Sequence, residues 1–302
     1  MSNNTYLFDL HNFTLHLKLI DMKTKNIIFG VLLLIFSTGQ AQQIQTQDIM
    51  PFTTSIEIQT EFNEARIHFL NYFDDESYVK FDNIIAKDPN FAILYLWKSL
   101  SPNTNDSIDD LLITKAEKLG IRATDSERAY IKIWRLSFDE RIKLKKQYKA
   151  LKTDEEKIAF DWSSINEIQL ANQKKLVTIH PNDALLLIDY AITLAYGGYT
   201  KEAIKHYKKA LVLNDKIYGV YNLLGYLYLD LEDFKQAEKE FDAYIAMMPE
   251  AANPYDSKGD YYFTIKEYKK AFKSYKKAYK IDSSSEISKE KADEARKQLR
   301  QQ

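Results

Sequence analysis

The chain contains three successive segments of equal length: ALLLIDYAITLAYGGYTKEAIKHYKKALVLNDKI (184–217), YGVYNLLGYLYLDLEDFKQAEKEFDAYIAMMPEA (218–251) and ANPYDSKGDYYFTIKEYKKAFKSYKKAYKIDSSS (252–285). They carry small and aromatic residues at the same positions, 34 residues apart. The recurring sets are Ala203, Ala237 and Ala271; Tyr207, Phe241 and Tyr275; and Ala191, Gly225 and Gly259. A small residue lets two helices approach closely, and an aromatic ring fills the space between neighbouring units. This period and pattern predict a helix–turn–helix unit that stacks on copies of itself into a solenoid.

The repeated segment resembles the tetratricopeptide repeat (TPR) family. The resemblance rests on Gly225 with Tyr228, on Ala237 with Phe241, and on the terminal Pro249. It covers roughly residues 56–283, with its specific motifs only in residues 184–283. It implies an all-α fold, a superhelix of antiparallel helix pairs that ends in a C-terminal capping helix.

Six segments are predicted along the chain. Residues 1–21 form an N-terminal extension, 22–41 a secretory signal peptide and 42–55 a polar, Gln-rich flexible leader. Residues 56–182 form an irregular TPR-like helical region, 183–283 three TPR repeats and 284–302 the capping helix. No segment sustains the alternation of apolar and polar residues that is typical of a strand, so we expect essentially no sheet.

The signal peptide is predicted from three consecutive features. Residues 22–26 are basic, residues 27–36 are apolar, and Gly39 and Ala41 give the small-x-small pattern of a cleavage site. Cleavage is expected after Ala41, which would place the mature chain in the periplasm or cell envelope; an uncleaved membrane anchor is the alternative. Because Met22 opens a complete signal, residues 1–21 are interpreted as a mis-assigned start, with a lengthened basic region as the rival interpretation.

The irregular region is expected to form helical hairpins of uneven length. Helices are predicted over 91–100, 109–119, 141–151 and 155–179, the last of them broken near Asp161. Gly120 is expected to cap the second of these helices. Thr124 and Glu127 have capping-box spacing, which predicts a further helix start.

Composition excludes several classes of function. The 302 residues carry a formal net charge of −1, which gives no electrostatic case for a nucleic-acid partner. The absence of cysteine removes disulfides, thiolate catalysis and Cys-based zinc sites. There is no Gly-rich phosphate loop, and His68, His180 and His206 do not have metal-ligand spacing. We therefore expect no catalytic residues, no metal and no cofactor; His206 is interpreted as a surface residue.

The TPR resemblance implies that first-helix residues outside the packing positions line a concave groove. These predicted partner-binding residues are Ile188, Ile192, Tyr196, Asn222, Tyr226, Leu229, Asp256, Asp260 and Phe263. Apolar and aromatic side chains on a rigid concave wall suit an extended or helical peptide. None of these residues is Lys or Arg, so we predict that the groove does not bind acidic C-terminal tails. Lysines that recur on the second helices, such as Lys239, are interpreted as a solvated convex face.

The sequence therefore predicts a non-catalytic protein–protein interaction scaffold, similar to the secreted TPR proteins of Gram-negative bacteria. Its partner is expected to be a protein or peptide, with no nucleic acid and no small-molecule cofactor, and with membrane contact only through an uncleaved signal. Two alternatives stay open. One is a hydrolase or carbohydrate-active enzyme with its site in residues 91–180, and the other is a structural protein that assembles with copies of itself.

Overall fold

The computed structural model describes residues 49–71, 74–101 and 103–301. Regular structure within these ranges is helical and includes no strand, which confirms the all-α prediction. The predicted N-terminal extension, the signal peptide and residues 42–48 of the leader lie outside the described residues. None of the helices described is long and apolar enough to cross a membrane.

Seven of the described helices precede the repeated segment: α1 (Ile56–Leu70), α2 (Asp74–Lys87), α3 (Ala92–Lys98), α4 (Asp106–Gly120), α5 (Asp125–Ala150), α6 (Asp154–Ile158) and α7 (Ser163–Ile179). Seven more follow: α8 (Ala184–Tyr196), α9 (Thr200–Leu213), α10 (Gly219–Asp230), α11 (Phe234–Met247), α12 (Ala252–Thr264), α13 (Tyr268–Ile281) and α14 (Glu286–Leu299). In the repeats, α8 packs on α9, α10 on α11 and α12 on α13, and α14 packs on α13.

The helices keep the 34-residue period of the sequence. The second helices of the three pairs begin at residues 200, 234 and 268. The small residues Ala203, Ala237 and Ala271 are completely buried at the same position of these helices. Helix α14 begins at residue 286, one period after α12 begins at residue 252, so the capping helix takes the place of a further first helix. The predicted TPR solenoid with a C-terminal capping helix is confirmed.

Each helix pair turns through one residue in the left-handed region of backbone space. These residues are Gly198, Glu232 and Lys266, with φ of 79°, 57° and 63°, again 34 positions apart. The next residue closes the first turn, because Tyr199 N donates to Leu194 O at 2.8 Å, and the other two turns close in the same way at 2.9 Å. Such a residue ends helices very commonly, and glycine adopts this conformation with the least steric cost.

An aromatic core holds the N-terminal hairpin of α1 and α2. Phe62, Phe81 and Phe91 are fully buried. The rings of Phe62 and Phe91 meet edge to face with centroids 5.0 Å apart, and Trp97 lies 6.3 Å from Phe62 in the same manner. Edge-to-face pairs stabilise by about 0.5–1.5 kcal/mol beyond the area that they bury. This core fixes the hairpin although its sequence departs from the repeat pattern.

Residues 50–54, here named the strap, are anchored to the helices. Met50 is buried, and its N–H donates to Asp183 Oδ2 at 3.2 Å. Thr53 N donates to Glu127 Oε1 at 3.0 Å, and the ring of Phe52 packs 5.5 Å from that of Phe62. The expectation of a flexible leader is corrected for these residues, because Met50 is buried, the Phe52 ring packs on the aromatic core, and two backbone N–H groups donate to carboxylates.

Two local expectations in the irregular region are also corrected. Helix α5 runs without interruption to Ala150, so no separate helix begins at Arg141; the segment contains no Gly or Pro to break it. Gly120 is the last residue of α4 and not a left-handed cap beyond it. A methyl group at Gly120 would lie 2.6 Å from Ile131 Cδ1, so this glycine permits a close approach of α4 and α5.

The capping box at the start of α5 is confirmed. Glu127 N donates to Thr124 Oγ1 at 3.2 Å, and Thr124 N donates to Glu127 Oε2 at 2.9 Å. The break expected near Asp161 is confirmed as well, since α6 ends at Ile158 and α7 begins at Ser163.

Candidate functional site

The predicted groove residues lie on the first helices α8, α10 and α12, and their accessibility differs. Tyr196 is 42% exposed. Partly buried side chains are Ile192, Asp260 and Phe263. Buried side chains are Ile188, Asn222, Tyr226, Leu229 and Asp256. The accessible part of the predicted groove is therefore mainly aromatic and aliphatic, with the Asp260 carboxylate at its C-terminal end, and its role as a binding site stays a prediction.

Helix α14 occupies the acidic end of the predicted groove. Lys291 Nζ lies 2.6 Å from Asp256 Oδ2 and 3.0 Å from the Asp260 carboxylate. Ser288 Oγ donates to Asp256 Oδ1 at 2.8 Å. Burial alone would lower the pKa of Lys291, but the charges of Asp260 and Asp256 outweigh burial and raise it. These four side chains, named the C-terminal cluster, join α14 to α12 through a charged amine and two carboxylates.

Two tyrosines complete the hydrogen bonding of Asp260. Tyr226 OH donates to Asp260 Oδ2 at 2.7 Å, and Tyr275 OH donates to Asp260 Oδ1 at 2.8 Å. Burial, followed by the Asp260 charge, raises the pKa of both phenols well above the ordinary value. Both hydroxyls therefore remain protonated donors at neutral pH, and they link α10, α12 and α13 through one carboxylate.

A second polar group ties the N-terminal hairpin to the first repeat. Arg66 is buried, and its Nη2 lies 3.3 Å from Asp189 Oδ2, which also accepts from Tyr130 OH at 2.9 Å. The Arg66 guanidinium stacks over the Trp97 ring at 4.7 Å. Burial raises the pKa of Asp189 from 3.8 to about 6, although the charge of Arg66 opposes that shift. A buried, hydrogen-bonded group of this kind positions helices and offers no access to a ligand.

The hairpin also contacts the turn that joins the first two repeats. Asn71 Nδ2 donates to Lys216 O at 3.0 Å, and Gly219 N donates to Asn71 Oδ1 at 2.9 Å. One buried amide thus satisfies a backbone acceptor and a backbone donor of the repeats. Together with Arg66, it makes the N-terminal hairpin a structural support for the first repeat.

The irregular block at 91–180 brings one serine and one histidine together. Ser126 Oγ lies 2.6 Å from His180 Nε2, and His180 is buried. The neighbouring Asp183 caps α8, where it accepts from Leu185 N and Leu186 N at 3.0 Å. Within the described residues, no group of three or more His, Cys, Asp or Glu side chains could hold a metal ion.

The recurring lysines of the second helices and His206 were both interpreted as surface residues, and the structure agrees for the lysines only. Lys205, Lys239 and Lys273 are exposed on the second helices, as expected of a solvated face. His206 is only half-exposed, and its ring packs edge-on against Tyr190 with centroids 5.0 Å apart. Burial, followed by the charges of nearby lysines, lowers the pKa of His206. The histidine is therefore a packing residue and not a simple surface residue.

Two sets of residues were not predicted from the sequence: those of α14 in the C-terminal cluster, and those that contact Asp189. Lys291 and Ser288 could have been found, because α14 lies one period after α12 and its side chains meet the first helix before it. Arg66 and Tyr130 gave no such signal, since their partner Asp189 is more than 50 residues away from each. Contacts over such distances depend on how the hairpins stack, which a repeat period does not state.

Residues 218–250 and 252–285 match the family model described as Tetratricopeptide repeat. These ranges coincide with the second and third predicted repeats, and the first repeat at 184–217 lies outside the match. A search of the curated proteins finds no match for the chain.

Several solved structures are similar to this chain. The APC/C hetero-tetramer Cut9-Hcn1 matches at 14% identity and a TM-score of 0.49, over 79% of this chain and 42% of that one, so this chain spans less than half its length. PilW, a type IV pilus biogenesis factor, matches at 10% identity and a TM-score of 0.45, over 75% and 94% of the two chains. A thermophilic TPR protein of Thermus thermophilus matches at 16% identity and a TM-score of 0.46, over 68% and 94%.

Proposed function

We propose that this tetratricopeptide-repeat protein, whose repeats match the family at residues 218–285, is a non-catalytic adaptor that holds a peptide segment against its first helices. The TPR fold is typical of protein–protein interaction scaffolds, and such proteins are generally non-catalytic. The observation that carries the proposal is the accessible apolar surface on the first helices. Tyr196 is 42% exposed, and Ile192 and Phe263 are partly exposed, on helices that are otherwise tightly packed.

Several physical arguments support a peptide as the ligand. Aromatic side chains on rigid helices supply contact area at low entropic cost, and such residues dominate binding energies. The accessible positions carry no lysine or arginine, so a terminal carboxylate would find no cationic partner there. Extended or helical segments present side chains at regular intervals, which suits a wall of regularly spaced helices.

The test is crosslinked co-purification of the native protein with matched variants. Tyr196→Asp places a charge on the proposed contact surface, and Val212→Asp places the same charge on a second helix where Val212 is 86% exposed. We expect a partner that co-purifies with the wild type and the Val212 variant but is lost with the Tyr196 variant. A partner retained by all three chains would move the binding surface elsewhere and contradict the proposal.

The enzyme alternative has one observation in its favour. Ser126 Oγ and His180 Nε2 lie at the separation of a nucleophile and its base. Ester and glycoside hydrolysis by the purified chain, compared with the Ser126→Ala variant, separates the two functions. Turnover that the substitution abolishes would favour the enzyme, whereas we expect no turnover in either chain.

We also propose that the chain is exported to the periplasm or cell envelope. The support is the basic, apolar and small-x-small order of residues 22–41, which is the pattern of a cleaved secretory signal. N-terminal sequencing of the native protein is expected to begin at Gln42. A mature N-terminus at or before Met22 would contradict cleavage.

A further inference from the structure

Helix α14 covers the acidic end of the predicted groove with small apolar side chains. Its buried residues are Ser288, Ala292 and Ala295, and the two alanines have only methyl side chains. The larger side chains Ile287 and Leu299 are 53% and 37% exposed. Because hydrophobic stabilisation grows with the apolar area removed from water, α14 gains less from apolar burial than a helix that buries large side chains.

A first helix inside the repeats is held very differently. Helix α10 buries large side chains, which include Val220, Leu224, Tyr226, Leu227, Tyr228 and Leu229. Helix α14 occupies the next corresponding place beyond α12 without any such anchor among its buried residues. The capping helix therefore buries smaller apolar side chains than α10 does.

Polar contacts replace the missing apolar anchor. In the C-terminal cluster, Lys291 contacts both Asp256 and Asp260, and Ser288 contacts Asp256. Asp256 is buried and Asp260 partly buried, so both carboxylates need a cationic or hydrogen-bonding partner. Ser288 donates to Asp256 and the two tyrosines donate to Asp260, and Lys291 supplies both carboxylates with a positive charge that a lysine on another helix could also supply.

We propose that α14 is an exchangeable internal ligand, and that a partner's amphipathic helix carrying a lysine displaces it and binds Asp256 and Asp260 in its place. This inference rests on the proposed function, because it names the partner chemistry for the C-terminal end of the groove. The surface beneath α14 favours such a helix for two reasons: its carboxylates match an amine, and the surrounding rings are incompletely covered.

Partly exposed aromatic rings beside α14 would let a partner helix bury more apolar area than α14 does. Tyr262, Phe263 and Phe272 pack against the cluster of Ala271, Tyr275, Ala292 and Ala295 but remain partly exposed. A partner with leucine or methionine beside its lysine would bury more of these rings than Ala292 and Ala295 do. The intramolecular helix has the compensating advantage of a high effective concentration, because only residues 282–285 separate it from α13.

The test uses the full-length chain and a fluorescent synthetic peptide with the sequence of residues 285–302 as the probe. Lys291→Ala in the protein loosens the internal helix without altering the surface beneath it. We expect the peptide to bind this variant about tenfold more tightly than the wild type, since hydrogen bonds between charged groups are lost only in the internal helix. Ser288→Ala, which removes one hydrogen bond, is expected to give a smaller increase.

Two controls assign the binding to the carboxylates. The same peptide with alanine in place of Lys291 is expected to bind at least about tenfold more weakly. Adding Asp256→Asn and Asp260→Asn to the Lys291→Ala chain is expected to abolish binding of the unaltered peptide. Circular dichroism that matches the wild type shows that each variant is folded.

Equal peptide affinities for the wild type, Lys291→Ala and Ser288→Ala chains would overturn the inference. Peptide binding that is unchanged when Asp256→Asn and Asp260→Asn are added would overturn it as well. Its failure is distinguishable from failure of the proposed function. Loss of a partner with Tyr196→Asp concerns α8, whereas peptide exchange concerns only α12 to α14.

Discussion

Gly225 lies so close to Phe241 that a methyl group at residue 225 would sit 2.6 Å from Phe241 Cε1. The third repeat has the same relationship, with Tyr275 Cε1 2.5 Å from a methyl group at Gly259. In the first repeat, Ala191 takes this position. Glycine is thus needed where α10 meets α11 and where α12 meets α13, since a larger residue would force the helices apart.

The first prediction concerns this helix approach. Gly225→Ala is expected to lower the free energy of unfolding by about 1–3 kcal/mol, because Phe241 is fully buried and cannot move aside without cost. Urea denaturation followed by circular dichroism measures the change. Lys239→Ala on the exposed face is the control and should change the free energy by less than about 0.5 kcal/mol. An unchanged midpoint for Gly225→Ala would mean that the two helices are not so close.

The second prediction concerns the left-handed turns. Glu232→Gly is expected to raise the free energy of unfolding by roughly 1 kcal/mol, because Glu232 adopts a φ of 57° that disfavours a side chain. Gly198→Ala should lower it by a similar amount, since a methyl group there meets nothing within 4 Å and only the backbone conformation is strained. Thermal and urea unfolding of both variants should shift in opposite directions. A shift in the same direction would contradict the turn geometry.

The third prediction concerns the pH dependence of stability. The pKa of Asp189 is raised to about 6 in the fold from an ordinary value of 3.8, so the folded chain binds its proton more tightly than the unfolded chain does. The stability that this proton contributes is complete below about pH 4 and is lost as the pH rises through about 6, a loss on the order of 1–3 kcal/mol.

The Asp189→Asn variant isolates that contribution, since asparagine does not titrate. Its free energy of unfolding should fall less than that of the wild type between pH 4 and about 6.5. Asp215→Asn, at an exposed position, should retain the wild-type slope. Parallel slopes for the wild type and Asp189→Asn would show that Asp189 titrates normally.

The fourth prediction concerns the strap. Glu127 is completely buried and accepts from Thr53 N, Thr53 Oγ1 and Thr124 N. Glu127→Ala leaves these donors without their acceptor and should lower stability by about 2–3 kcal/mol. Limited proteolysis should then cut within residues 50–54 faster than in the wild type. Glu155→Ala, at an exposed position in α6, should leave the cleavage rate unchanged, and resistance of the Glu127 variant would refute anchoring by this carboxylate.

The repeats were predictable from the sequence because their contacts are local and periodic. The 34-residue spacing places Ala203 and Tyr207 in the same helix pair independently of the rest of the chain. The capping box at Thr124 involves only neighbouring residues. The anchoring of the strap could not be predicted, since it depends on Glu127, 74 residues beyond Thr53.

The solvent accessibility of the predicted groove residues could not be read from the sequence either. The repeat register identified the first-helix positions, but it did not state which of them other parts of the chain would cover. Asp256 is buried because Lys291 and Ser288 reach it, whereas Tyr196 stays 42% exposed on the first repeat. Accessibility depends on how successive helices stack, and a single position in a repeat does not contain that information.

Site-specific photocrosslinking in the native cell tests whether a protein partner binds on the first helices. A photoreactive phenylalanine analogue at residue 196 lies on the proposed contact surface, and the same analogue at residue 212 lies on a second helix. We expect a discrete protein adduct from residue 196 and none of the same mass from residue 212. The same adduct from both positions, or an adduct from residue 212 alone, would contradict binding on the first helices.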